Sequence, residues 1–92
     1  MQVLRWSIVV QGRVQGVGFR YFTASSARNH GLVGWVRNRD DRGVEMEVQG
    51  SPEMLAVFRV EINKGPILAR VQEMKVVELP PVEGEEGFEI RY

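Results

Sequence analysis

An α+β fold, with two helices on one face of an antiparallel sheet, is predicted by three observations on this chain of 92 residues. Apolar and polar residues alternate over several short stretches, as in half-buried strands. Two longer stretches instead repeat apolar residues every three or four positions, as in helices with one buried stripe. The runs follow one another as βαββαβ plus a short C-terminal strand, with a crossover helix in each half, which is the order of a ferredoxin-like sandwich.

Residues 3–11 place Leu4, Trp6, Ile8 and Val10 on one side and Arg5, Ser7 and Gln11 on the other, a half-buried first strand. A glycine-rich stretch then leads into a helix over 19–30. Phe19, Phe22, Ser26 with Ala27, and His30 recur there at helical spacing, and Gly31 sits where a helix is capped. His30, the one histidine, reads as a helix-end residue complementing the dipole and not as a catalyst. Leu32 to Arg39 is the second strand, and Val44, Met46 and Val48 alternate with Glu45, Glu47 and Gln49 as the third. Between them Asp40-Asp41-Arg42-Gly43 has hairpin chemistry.

Ser51 and Pro52 form an N-cap and first-turn pair, Leu55, Phe58 and Ile62 the apolar stripe of the second helix, and Gly65-Pro66 its end. Val71 to Leu79 is the fourth strand, closed by Pro80-Pro81. Glu83 to Gly87 reads as a solvated acidic loop, and Phe88, Ile90 and Tyr92 alternate as a last strand whose place in the sheet is left open. No repeat or linker interrupts the chain, so one domain over 1–92 is expected.

Twelve Lys and Arg balance twelve Asp and Glu. Proteins built for non-specific nucleic-acid or membrane binding carry clustered positive charge, so neither partner is expected. Cysteine is absent, which excludes disulfides, zinc-thiolate sites and a thiol nucleophile. Residues 1–10 hold Arg5 in a short apolar run without a small-residue cleavage site, unlike a signal peptide, and no stretch approaches the ~20 apolar residues of a membrane span. A soluble cytoplasmic protein, by default a monomer, is expected.

The stretch that carries chemistry is Gly12-Arg13-Val14-Gln15-Gly16-Val17-Gly18-Phe19-Arg20. Glycine permits positive φ and close approach of backbone to a ligand, so the N–H groups of Gly16, Val17, Gly18, Phe19 and Arg20 can converge on an anion. A helix beginning near Phe19 adds its free N–H groups and the positive end of its dipole. Arg20 adds a permanent charge whose planar fork grips two oxygens of one phosphate. The plain alternative is a glycine-rich turn with a surface arginine. Neither a P-loop nor a dinucleotide fingerprint is present: no Gly-Lys-Ser/Thr follows, and Tyr21 stands where the third glycine of the fingerprint belongs.

This nine-residue stretch together with Gly34-Trp35-Val36-Arg37-Asn38 resembles the paired signatures of the acylphosphatases, small enzymes that hydrolyse carboxyl-phosphate anhydrides. The likeness continues through Val44 and Gly50, Gly65-Pro66 with Ala69-Arg70-Val71, and Gly87-Phe88 with Ile90. It implies that Arg20 binds phosphate and that Asn38 orients the attacking water. One departure stands out: the family usually has glycine at the position of Arg42, and the Arg42-Gly43 swap is expected to change the turn while leaving Asn38 nearly in place.

The chemistry accords with the residues present. A carboxylate leaving group needs no general acid, so a site need only hold phosphate charge and aim a water. With no cysteine, one distant histidine and no acidic cluster at ligand spacing, neither a metal, nor another cofactor, nor a covalent phosphoenzyme is expected. Inorganic phosphate, the product, should compete for the cradle. Two rival readings remain at this point. One is an RNA-binding module, because Gly16 to Phe22 superficially resembles a glycine-aromatic base-stacking motif, although it lies before the first helix and not on a central strand. The other is a phosphate binder without turnover.

Overall fold

The computed structural model describes residues 2–92; Met1 lies outside them. The described residues form β1 (Leu4–Arg13), α1 (Phe19–Asn29), β2 (Val33–Asn38), β3 (Val44–Gly50), α2 (Pro52–Lys64), β4 (Arg70–Leu79) and β5 (Phe88–Arg91). The strands make one sheet in the order β4-β1-β3-β2-β5. β1 pairs antiparallel with β3 and β4, and β2 antiparallel with β3. Strands β1 and β2 are therefore parallel with β3 between them, and α1 is the crossover that joins them. The last strand, left unplaced by its sequence, joins β2 in parallel, so the sheet is antiparallel across its four longer strands and mixed at one edge.

Strand alternation decides which side chains meet the helices. Ile8 and Val10 of β1, Val36 of β2, and Val44, Met46 and Val48 of β3 are fully buried on one face of the sheet. Leu55, Phe58 and Ile62 of α2 recur at helical spacing and close over them; burying each such side chain contributes roughly 1.5–3 kcal/mol. The buried stripe of α1 runs through Phe19, Thr23, Ala24, Ser26 and Ala27, while Phe22 is half-buried at its side. Ser51 accepts a hydrogen bond from Met54 N–H as N-cap of α2, with Pro52 at its first position, as expected. His30 is the C-cap of α1 and ties that helix to α2, its Nε2 lying 3.1 Å from Glu61 Oε2.

On the helix-free face the polar side of β1 is partly covered. Arg5 alternates away from the core, yet its side chain is only 3% exposed. It donates to Glu47 Oε1 at 2.8 Å, Gln49 Oε1 at 3.1 Å and Glu85 Oε1 at 2.8 Å. The acidic loop is solvated as expected, with Glu83, Gly84, Glu86 and Gly87 exposed, but its course is constrained. The connection from β4 to β5 must cross from one edge of the sheet to the other, about 19 Å at the usual strand spacing. Eight extended residues reach only ~26–29 Å, so Pro80 to Gly87 runs as a strap. Gln49 fastens it by exchanging two 2.9 Å hydrogen bonds with the backbone of Val82, and Glu85 pairs with Arg5.

Candidate active site

Gly12 belongs to the strand and not to the cradle. It sits at the irregularity in the β1–β4 pairing, where a Cβ would collide with the Arg70 carbonyl oxygen. Beyond Arg13 the loop is pinned by apolar side chains: Val14 and Phe19 are buried in the core, and Val17 packs against it. Gly16 and Gly18, by contrast, are exposed with φ of 74° and 78°, and a Cβ at either would meet open space. The apolar residues thus turn inward and the glycines outward, and Gly18 starts α1 in the left-handed conformation without any side-chain cap.

The consequence is a row of free donors. The first backbone bond of α1 runs from Phe22 N–H to the Gly18 carbonyl, and among the described residues the N–H groups of Gln15 to Tyr21 make no backbone hydrogen bond. No acidic residue occupies the first turn of α1. An N-terminal dipole, unbonded N–H groups and no acidic residue in the turn suit this end to a negative ligand.

Arg20 lies in that first turn. Its Nη1 donates to the Arg91 carbonyl at 3.1 Å, and its Cζ stands 4.6 Å from the centroid of the Tyr92 ring. Among the described residues it has no carboxylate partner, unlike Arg37, which pairs with Glu45, and Arg39, which pairs with Asp41 and Glu45. The guanidinium is held in direction but left uncompensated in charge.

Asn38 ends β2 at the same end of the sheet. Strand register aligns Val10, Val44 and Asn38 in one row, and the cradle begins a few residues after Val10. By the two-residue period of a strand, Asn38 shares the face of Val36, which is the helix side. The parallel pairing of Arg37 with Arg91 brings Tyr92 beside it, and Asn38 and Tyr92 line one open depression of about 650 Å³ with Arg37, Arg39, Asp41 and Glu45. The structure therefore brings the cradle, Arg20 and Asn38 to one end of the molecule, linked through Tyr92. His30, at the far end of α1, is remote from it.

The hairpin after Asn38 keeps a left-handed residue at position 42 although it is an arginine, φ 73°. Gly43 serves another purpose: it is buried, and a Cβ there would press on the Val10 carbonyl and the Gln11 side chain. Asp41 binds Arg39, the Gly43 N–H and Gln11, and these contacts, Arg39 first, pull its carboxyl from 3.8 down to about 2. Of the three rings of the RNA-binding alternative, Phe19 is buried in the core and Phe22 packs against it, which leaves Tyr21 alone exposed. Two contributors escape sequence reading. Tyr92 meets Arg20 across 72 positions, with no local signal, and Gln15, visible within the glycine-rich stretch, is an amide whose partners lie on another strand pair.

A ferredoxin-like sandwich with free backbone donors and an unpaired arginine between its first strand and first helix is suited to an anionic, phosphate-bearing ligand. The acylphosphatase family model matches residues 6–90. An acylphosphatase of Bacillus licheniformis is 47% identical over 90 residues, covering 98% of this chain and 100% of that one. An acylphosphatase of Oceanobacillus iheyensis is 49% identical over 84 residues, covering 90% and 92%. The crystal structure of acylphosphatase from Bacillus subtilis superposes with a TM-score of 0.93 at 42% identity, covering 97% of this chain and 99% of the other. The chain belongs to the acylphosphatase family and is a hydrolase of acyl phosphates, acting on an acid anhydride.

Proposed function

We propose that this hydrolysis is carried by Arg20 and Asn38 within a single domain spanning 1–92. The N–H groups of Gly16 to Arg20 and the Arg20 fork hold the phosphoryl oxygens, and Asn38, with a donor and an acceptor on one uncharged amide, orients the water. The water oxygen bonds to phosphorus as the bond from phosphorus to the acyl oxygen breaks. The carboxylate leaves with the electron pair and needs no proton, and the water's protons pass to the phosphate and solvent. The observation that carries the reading is the uncompensated Arg20 beside a row of free N–H groups.

We read the reaction as one without metal, cofactor or phosphoenzyme, because a carboxylate leaving group needs no acid to assist it and the sequence has no cysteine nucleophile. No helix of the described residues is long and apolar enough to cross a membrane. We read the protein as a cytoplasmic monomer inhibited competitively by inorganic phosphate.

Hydrolysis of an aryl acyl phosphate by purified protein with chelator tests this, together with two variants. Arg20→Gln is expected to weaken phosphate binding and to cut turnover by at least ~10²-fold, with Arg20→Lys restoring little. Asn38→Ala is expected to keep melting temperature and phosphate affinity while kcat falls by on the order of 10². Activity restored only by a divalent ion, normal phosphate binding in Arg20→Gln, or a destabilised but fully active Asn38→Ala would each refute its part of the reading.

A further inference from the structure

We infer that Gln15 is a positioning residue that locks the phosphate cradle to the strand end carrying Asn38; the inference rests on the water-orienting reading of Asn38 and names what holds that residue in place. The Gln15 side chain leaves the cradle loop and donates both Nε2 hydrogens across the site. One goes to the Arg39 carbonyl at 2.8 Å and the other to the Gly43 carbonyl at 2.9 Å.

These two carbonyls belong to the pair that closes the β2–β3 hairpin, where Arg39 N–H donates to the Gly43 carbonyl at 2.8 Å. One amide therefore caps the mouth of the turn. The covalent geometry makes the link short: Gln15 precedes Gly16, the first of the proposed phosphate-binding residues, and Arg39 follows Asn38. Phosphate cradle and water-orienting amide are joined through one side chain and two peptide units.

Other contacts locate each half separately. Val14, Val17 and Phe19 anchor the loop in the core, and Asp41 with Arg39 and Gln11 holds the turn. Among side-chain hydrogen bonds of the described residues, those of Gln15 are the ones that run directly from residues 14–20 to residues 38–43. Loss of this link should leave phosphate binding intact and disturb the aim of the water, because a displacement of about 1 Å of a reacting group can cost up to 10²-fold in rate.

Gln15→Met, of similar length and without donors, is the variant to measure, with Asn38→Ala and the double variant completing a cycle. In Gln15→Met, kcat is expected to fall at least about tenfold while the inhibition constant of inorganic phosphate changes by less than about threefold. In the Asn38→Ala background the same change should cost less than about threefold, because the residue it positions is gone. If Gln15→Met does not fold, Gln15→Asn, whose amide stops one methylene short of the carbonyls, completes the cycle instead.

A lowered melting temperature with unchanged kcat would make Gln15 merely structural and overturn the inference. Losses that multiply in the double variant, with Asn38→Ala itself impaired, would overturn it alone. Full activity of Asn38→Ala would remove the water-orienting reading and this inference with it.

Discussion

Arg42 and Thr23 are two residues at which the chain departs from its lowest free energy. A left-handed conformation costs an L-residue roughly 1–2 kcal/mol, and Arg42 adopts one at φ 73°. Glycine relieves that strain but returns roughly 0.5–1 kcal/mol through its freer unfolded chain. Arg42→Gly is therefore expected to raise stability by about 0.5–1 kcal/mol in a denaturant titration. No gain, or a loss, would show that the arginine side chain contributes more than its backbone costs. Thr23 is fully buried in α1, and among the described residues its hydroxyl has no hydrogen-bond partner. An unpaired buried hydroxyl costs about 1–3 kcal/mol, so the near-isosteric Thr23→Val should stabilise by about 1 kcal/mol. Destabilisation would mean that the hydroxyl is satisfied in solution.

The β2–β3 hairpin shows how an element acquires a pH dependence of its own. Asp41 accepts from Arg39 Nε and Nη2 at 3.1 Å each and from Gly43 N at 3.0 Å, and its carboxyl is lowered from 3.8 to about 2. A depressed carboxylate stabilises the folded state fully above its unfolded value near 3.8 and loses that contribution as pH falls through about 2. Carboxyl titration by NMR should find Asp41 still ionised at pH 3. The melting temperatures of wild type and Asp41→Asn should converge as pH falls from 4 toward 2. Because Asp41 is exposed, the separation at neutral pH is expected to be small. An Asp41 that titrates near its ordinary value would show that the clamp opens in solution.

Across the whole molecule, Arg5 joins parts of the chain that are 80 positions apart, for its partners Glu47 and Glu85 lie on β3 and on the strap. Both carboxylates still reach solvent, at 31% and 21% exposure, whereas the guanidinium does not. Removing it leaves two charges with partial access to water, so Arg5→Ala is expected to cost about 2–3 kcal/mol, below the ~3–5 of a fully buried pair. Equilibrium unfolding checks the figure, and hydrogen exchange should show the strap from Pro80 to Gly87 opening more readily. A change within about 0.5 kcal/mol would place Arg5 among ordinary surface charges.

Local order was legible in the sequence because it obeys local rules. Alternation placed Ile8, Val10, Met46 and Val48 in the core, Ser51-Pro52 opened α2, and the glycines at 16 and 18 marked the start of α1. The composition of the proposed cradle, with Arg20 and no acidic neighbour in its turn, was equally visible, since a run of backbone donors is written in consecutive residues. What lies far apart in the chain was decided by tertiary structure. Alternation put Arg5 on the open face but could not show the strap that covers it, because the crossing from β4 to β5 follows from sheet order. Nothing local announces that β5 runs parallel to β2 and sets Tyr92 against Arg20, nor that Gln15 spans to Arg39 and Gly43. A short polar side chain finds its partner only after the strands have registered, so residue types prescribe what the site can bind while the fold alone determines how its parts face one another.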